Sequence, residues 1–318
     1  MYNDLLIVFS NYNGMRTKND LTSPRIEVTV NSFKEKVPYY KNLNVLLLDN
    51  NSNDGSDKLM ESLVEEAGSK WKFVRKDKED YYLGTLYYLL HDYKDKFKYL
   101  MIVDNDQYFT RPDFIPTIID LLNDDDNVAV QLSETTEGDS FDSHKNTNGV
   151  GGFFDKVFVR NNEVCLRAYD FKEDVKGLKR LPKTKGVGQM CVGSKNAKRV
   201  CWQWYGYSNI CMNINKIINV FGDERLALPY KKNPDRLALF SSSVRDVGRT
   251  IFLARGVSIN FGFRKYIKPD FKIKSLIEQY EEGCKGWHAD DKYSFFVKNG
   301  KLTSIEKEID SVKEKNNL

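Results

Sequence analysis

No two cysteines stand in a C-x-x-C pair, and the five present, Cys165, Cys191, Cys201, Cys211 and Cys284, are an odd number. That argues against a disulfide framework and points to free thiols in a reducing compartment. No apolar run approaches the ~20 residues that cross a bilayer, so no membrane span is expected. Leu5–Phe9 has no basic segment before it and is too short for a signal-peptide core. The expectation is a cytoplasmic protein. No G-x-G-x-x-G follows that first run, and no lysine-bearing Walker loop occurs. A phosphate-bearing ligand would therefore need a holder other than a glycine-rich loop.

What is present is a core-forming chain of 318 residues, 41% hydrophobic and 13% aromatic, enough for one large domain or a domain with an appendage. The net charge of +4 is modest but uneven. Lys172 to Arg199 holds nine basic residues against two acidic, a local +7 that leaves −3 for the rest. The Lys- and Asn-rich composition suits an AT-rich genome, such as that of a virus. The chain is organised around Tyr99-Leu100-Met101-Ile102-Val103, which runs straight into Asp104-Asn105-Asp106. The apolar run reads as a strand buried on both faces. Ligands of open α/β sheets gather where such strands end. Asp104 and Asp106 could converge there on Mn²⁺ or Mg²⁺. An ordinary acidic turn gives the same pattern.

Leu5–Phe9, Val45–Leu48 and Trp71–Val74 read as three further strands. Between them, Ile26–Tyr40, a segment opened by Asp54 or Ser56 and closed by Gly68, and Tyr81–Tyr93 read as helices. Pro112 and Asp113 open another through Leu122. Strand and helix alternate, which predicts a parallel sheet with helices on both faces. The first strand ends in Ser10-Asn11-Tyr12-Asn13-Gly14, with Arg16 beyond. This is either a plain strand-to-helix loop or a nucleotide contact, with Tyr12 stacking and Arg16 near phosphate.

Val128–Leu132 and Asn209–Asn215 are strand-like. Polar Ser133–Asn148 reads as a mobile loop over a cleft, and Gly149–Phe154 as a site of close backbone approach or a glycine-rich hairpin. The basic segment precedes Trp202, Trp204, Tyr205 and Tyr207. Basic residues beside aromatics suit nucleic acid. A solvated loop leading into an aromatic core strand is the simpler explanation. Ser241–Gly256 has a serine cap, a helical pattern and a closing glycine. Thr303 with Glu306 is a capping box opening a terminal helix.

Three segments together resemble GT-A fold glycosyltransferases of the family 2 kind. They are Ser10-Asn11-Tyr12-Asn13, Asp49-Asn50-Asn51-Ser52-Asn53-Asp54-Gly55-Ser56 and Val103-Asp104-Asn105-Asp106. The resemblance implies an α/β, Rossmann-like, mostly parallel sheet with a C-terminal helical extension. It implies transfer of a sugar from a nucleotide diphosphate, a UDP donor first among them. Tyr12 and Asp49 would flank the base, with Ser10, Asn11, Arg16 and Asn51 nearby. Asn105 would lie near the ribose, and Asp104 and Asp106 would bind metal and diphosphate. His288, in Gly286-Trp287-His288-Ala289-Asp290-Asp291, would complete the metal site or be structural. Residues 1–132 would bind the nucleotide sugar, 133–300 the acceptor, and 301–318 form the end helix.

The stretch around Asp246 is similar to the family's Glu-Asp-x-Asp-Phe-x-x-Arg-x-x-x-x-Gly segment, whose acidic residue faces the acceptor. That makes Asp246 the candidate general base, although Arg245 stands where an acid is common. Asp235 and Asp223 are the other candidates. The order of elements also resembles the branch associated with TET-type oxygenases, whose phage members act on hydroxymethylated DNA bases. That implies a DNA acceptor, bound through Lys172–Arg199. A surface glycan or lipid-linked saccharide is the competing acceptor, and nucleotidyl transfer the competing reaction. Oligomeric state is not readable.

Overall fold

A computed structural model describes residues 2–15, 23–78, 82–109, 112, 114–136, 152–168, 209–218, 248–260, 294–298 and 301–317. Strands β1 (Leu5–Asn11), β2 (Asn44–Asp49), β3 (Trp71–Arg75) and β4 (Tyr99–Asp104) alternate with helices α1 (Arg25–Lys36), α2 (Ser56–Ala67) and α3 (Tyr82–Tyr93). The apolar runs make strands because both of their faces are covered. Leu5, Ile7 and Phe9 share a core with Ile26, Val30 and Phe33 of α1 and Met60 and Leu63 of α2. Leu6 and Val8 point the other way, onto Leu86, Leu89 and Leu90 of α3. Each fully buried Leu, Ile or Phe contributes roughly 1.5–3 kcal/mol, so a one-residue register slip would exchange both cores at once.

These four strands lie in the order β3-β2-β1-β4 and all pair in parallel. The chain steps outward from β1 through β2 to β3. It then returns to lay β4 against the opposite edge of β1. The outward connections α1 and α2 cover one face, and the returning α3 covers the other. The reversal falls between β1 and β4, and it opens a crevice at their carboxyl ends.

The sheet continues through β5 (Gln107–Phe109), β6 (Asn127–Thr136), β7 (Gly152–Arg160), β8 (Glu163–Ala168), β9 (Ile210–Asn213), β10 (Arg249–Asn260), β11 (Ser294–Lys298) and β12 (Lys301–Ser304). Beyond β4 the order is β9-β6-β10-β8-β7-β11-β12, with β5 pairing β10. This part is mixed: β6 runs parallel to β10, and β9 is antiparallel to both β4 and β6. Helices α4 (Phe114–Leu122), α5 (Ile214–Ile217) and α6 (Ile305–Asn316) complete the described elements. The terminal helix starts two residues after the expected capping threonine and packs beside β7 and β11. No described helix is long and apolar enough to cross a membrane.

Several expectations need correction. The helix read over Ser241–Gly256 is not there from Arg249 onward, because residues 249–260 are β10. A short apolar run satisfies a helical and a strand pattern alike. Here ladders to β6 and β8 on either side decided the outcome, and β-branched Thr250 and Ile251 suit them. Gly256 closes no helix. It lies where the register with β6 shifts, between Leu253 and Ser258, the usual use of glycine inside a strand. Ser133–Thr136, read as the start of a loop, extend β6. The helix read to Tyr40 stops at Lys36, two residues before Pro38, and a 3₁₀ turn follows over Tyr40–Asn42. Strands β5, β8, β11 and β12 had no counterpart in the sequence reading, and the end helix expected from residue 301 begins only at Ile305.

Candidate active site

The carboxyl ends of β1, β2 and β4 are tied together by one buried side chain, Asn11. Its Nδ2 lies 2.8 Å from Asp49 Oδ1, 2.9 Å from Ser56 Oγ and 3.3 Å from Ser52 Oγ. Its Oδ1 accepts from Asn105 Nδ2 at 2.7 Å. Asn105 Nδ2 also reaches the Tyr12 carbonyl at 3.3 Å. A single carboxamide thus joins the β2 loop to the acidic turn after β4. Gly14 makes room for it: a Cβ there would stand 2.1 Å from Asn11 Oδ1.

Asp49 is wholly buried. One oxygen accepts from Asn11 and from the Ser52 hydroxyl, the other from the Ser52 amide at 2.8 Å. Arg75 Nε stands 3.9 Å from that second oxygen. The loop carboxylate is therefore fully engaged, as a buried charge must be. Asp54 bridges the same two loops, accepting from the Met15 amide at 3.0 Å and the Ser56 amide at 3.1 Å. Ser52 Oγ accepts from the Asn13 amide at 2.8 Å, and Asn13 Oδ1 from the Asn53 amide at 3.1 Å. Asn13 and Asn51 both sit at positive φ, 52° and 60°, a conformation asparagine tolerates better than most residues. Asn51 is exposed at the loop tip. Ser10 is buried and accepts from Asn50 Nδ2 at 3.3 Å.

Within this frame Tyr12 is the residue left outward, 42% exposed and the only large hydrophobic so exposed among the described residues. Asp104 closes β4 opposite Ser10 of β1. Asp104 and Asp106 are both half-buried, whereas Asn105 between them is turned inward onto Asn11. The alternation leaves two partly exposed carboxylates at the end of β4 and turns the amide between them into the scaffold. Two oxygen donors suit a hard cation, and Mg²⁺ is usually held by one or two carboxylates together with phosphate oxygens and water. The residues present fit such an ion. Among the described residues no group of three or more His, Cys, Asp or Glu comes together to form a closed metal cage.

Of the sequence-predicted site residues, Ser10, Asn11, Tyr12, Asp49, Asn51, Asp104, Asn105 and Asp106 therefore meet at one end of the sheet. Arg16, Asp246, His288, Asp223, Asp235 and the Lys172–Arg199 segment lie outside the described residues. Sequence reading missed Gln107, which is fully buried beside Asp106. It also missed Thr29 and Ser32 of α1, whose hydroxyls accept from the Gln107 and Phe109 amides at 3.1 Å each. Their i, i+3 spacing on the buried face of α1 was the available signal.

The model of the family described as "Glycosyl transferase family 2" matches residues 12–178, more than half of the chain. The chain belongs to this family. The match begins at Tyr12 and takes in both the β2 loop and the Asp104–Asp106 turn. The observed α/β sheet, parallel from β3 to β4 with helices on both faces, is the GT-A, Rossmann-like architecture expected of a family 2 glycosyltransferase. No curated protein matches the sequence. Similar solved structures include Staphylococcus aureus TarS, at 11% identity, TM-score 0.48 and 82% of this chain against 37% of that one. Residues 1–349 of TarS in complex with UDP-GlcNAc match at 12% identity, TM-score 0.47, and 88% of this chain against 66% of that one. GalNAc-T7 with UDP, GalNAc and Mn²⁺ matches at 13% identity, TM-score 0.45, and 87% against 48%. The chain thus spans between 37% and 66% of the length of these proteins.

Proposed function

We propose that the protein transfers a sugar from a nucleoside-diphosphate donor, a UDP-sugar first among those to test, to an acceptor hydroxyl. The observation that carries this reading is the meeting of Tyr12, Asp104 and Asp106 at the reversal point of a family 2 sheet. Exposed Tyr12 presents a ring on which a base stacks. Asp104 and Asp106 would hold Mn²⁺ or Mg²⁺. When bound, the ion supplies positive charge that offsets charge on the departing diphosphate. Asp49 and Asn11 hold the two loops at fixed separation, so the ring and the carboxylates are preorganised rather than assembled on binding. A carboxylate must take the acceptor proton, and Asp246 is the first candidate. Residues 1–132 serve the donor and residues 133–300 the acceptor; the expected end helix over 301–318 is shortened to Ile305–Asn316, because Lys301–Ser304 pair with β11 as a strand.

The test is donor hydrolysis and transfer with Mn²⁺, with EDTA, and with Asp106→Ala. We expect Asp106→Ala to lose at least a hundredfold in rate while still folding, as read by circular dichroism. Full turnover in EDTA would refute the metal assignment.

For the acceptor, the +7 charge of Lys172–Arg199 supports a hydroxymethyl pyrimidine in DNA, reached by swinging the base out of the stack. Affinity would then fall steeply with salt, because each neutralised phosphate releases a counterion. Neutralising Lys183, Lys185, Lys198 and Arg199 together should flatten that slope and abolish retention on DNA. Transfer to small saccharides, with no DNA retention in the wild type, would overturn this choice of acceptor.

A further inference from the structure

We propose that Gln107 is a positioning residue that fixes the Asp106 carboxylate and ties it to β10. The inference rests on the reading that Asp106 holds the cation. Gln107 is 0% exposed, yet it carries a polar side chain. Burying an amide costs free energy unless both of its ends are satisfied, and here both are. Its Nε2 donates to Asp106 Oδ1 at 3.2 Å, and its Oε1 accepts from Ser258 Oγ at 2.8 Å. The direction of the amide is set by its neighbours. An ionised carboxylate only accepts, so the NH₂ end must face Asp106 and the oxygen must face Ser258.

The backbone on either side is held as well. The Gln107 amide donates to Thr29 Oγ1 at 3.1 Å, and Gln107 pairs with Asn260 across the β5–β10 ladder. Ser258 is itself buried, 1% exposed, between Phe109 of β5 and Glu134 of β6. One amide therefore connects the acidic turn to a strand 151 residues further along the chain. The Asp106 carboxylate cannot rotate about its χ2 without breaking its bond to Gln107. Partners of this kind orient metal-binding groups, and removing them typically weakens metal binding about 10–100-fold. An apolar residue at 107 would fill the space but take away this donor to Asp106. A glutamate would face Asp106 with a second carboxylate.

The experiment measures Mn²⁺ binding by electron paramagnetic resonance in the presence of UDP, and UDP binding without metal by calorimetry. The variants are Gln107→Glu, Gln107→Met, Ser258→Ala and Asp106→Ala. Gln107→Glu and Gln107→Met should weaken Mn²⁺ binding about 10–100-fold and leave metal-free UDP affinity within twofold of wild type. Ser258→Ala keeps the Gln107 donor but loosens its anchor, and it should weaken Mn²⁺ binding by a smaller factor. Mn²⁺ affinity within twofold of wild type in both Gln107 variants, with Asp106→Ala defective, overturns this inference and spares the metal reading. If Asp106→Ala itself binds Mn²⁺ as the wild type does, the metal reading fails and this inference fails with it. Should a Gln107 variant lose metal-free UDP binding too, it has misfolded and Ser258→Ala decides: weaker Mn²⁺ with intact UDP binding supports the inference, and unchanged Mn²⁺ overturns it.

Discussion

Gly14→Ala is the sharpest perturbation of the site's scaffold. The backbone at Gly14 is open to any L-residue, so the penalty is purely one of space. A new Cβ would lie 2.1 Å from Asn11 Oδ1 and 3.1 Å from both Asn11 Cγ and Ile26 Cβ. The Asn11 carboxamide must swing away. In doing so it surrenders its bonds to Asn105, Asp49 and Ser56. At about 1 kcal/mol net for each buried hydrogen bond the loss is about 3 kcal/mol. Replacing glycine also stiffens the unfolded chain, a gain of roughly 0.4–1 kcal/mol. The clash wins, and the net destabilisation should be about 2–3 kcal/mol. Urea unfolding followed by circular dichroism measures it as a lower midpoint at unchanged slope. A double-mutant cycle isolates the cause. In an Asn11→Ala background the obstructing amide is gone, so Gly14→Ala should cost less than about 0.5 kcal/mol on the same bookkeeping of one net bond. Two costs that simply add, or a Gly14→Ala protein as stable as wild type, would show that Asn11 does not hold these loops together.

Two further outcomes follow from groups away from the crevice. Cys165 and Cys211 are buried thiols outside any disulfide, and burial pushes the Cys211 thiol far above its ordinary value; both should escape alkylation in the native protein and react fully in urea, as read by peptide mass spectrometry. Arg160 hydrogen-bonds Asp120, and that bond, against a smaller opposing effect of burial, holds the Asp120 carboxyl below its usual value. A depressed carboxyl stabilises the fold above the ordinary carboxylate pKa of about 4 and ceases to do so as pH falls through its folded value. Both side chains are about two-fifths exposed, so Asp120→Asn should cost under about 1 kcal/mol at pH 7. That difference should shrink as pH falls below about 4 in parallel unfolding titrations.

Much of the first third was legible because its signals are local. Runs such as Leu5–Phe9 and Tyr99–Val103 are apolar at every position, only five residues long and followed by polar turns, and that brevity favours a strand covered on both faces over a helix. Gly68, at φ 109°, ends α2 where a closing glycine was expected. The pair Asp104 and Asp106 stands out because carboxylates immediately follow a buried strand. The second half was harder to read because its elements are settled by their neighbours. Up to Gly256 the pattern suited a helix, and the strand Arg249–Asn260 exists because β6, β8 and β5 supply the ladder partners. Asn11 and Gln107 look like ordinary loop polar residues until their partners, 94 and 151 residues away, are placed beside them.

The sequence by itself therefore determined the α/β alternation, the acidic turn and the family likeness, since each depends on residues within a few positions of one another. Only the tertiary structure decided that β4 returns beside β1, that Asn11 joins three loops, and that Gln107 anchors Asp106 to a distant strand. Hydrogen bonds and strand pairings between remote segments leave no periodic trace in the chain; they are chosen by which surfaces the whole fold must cover.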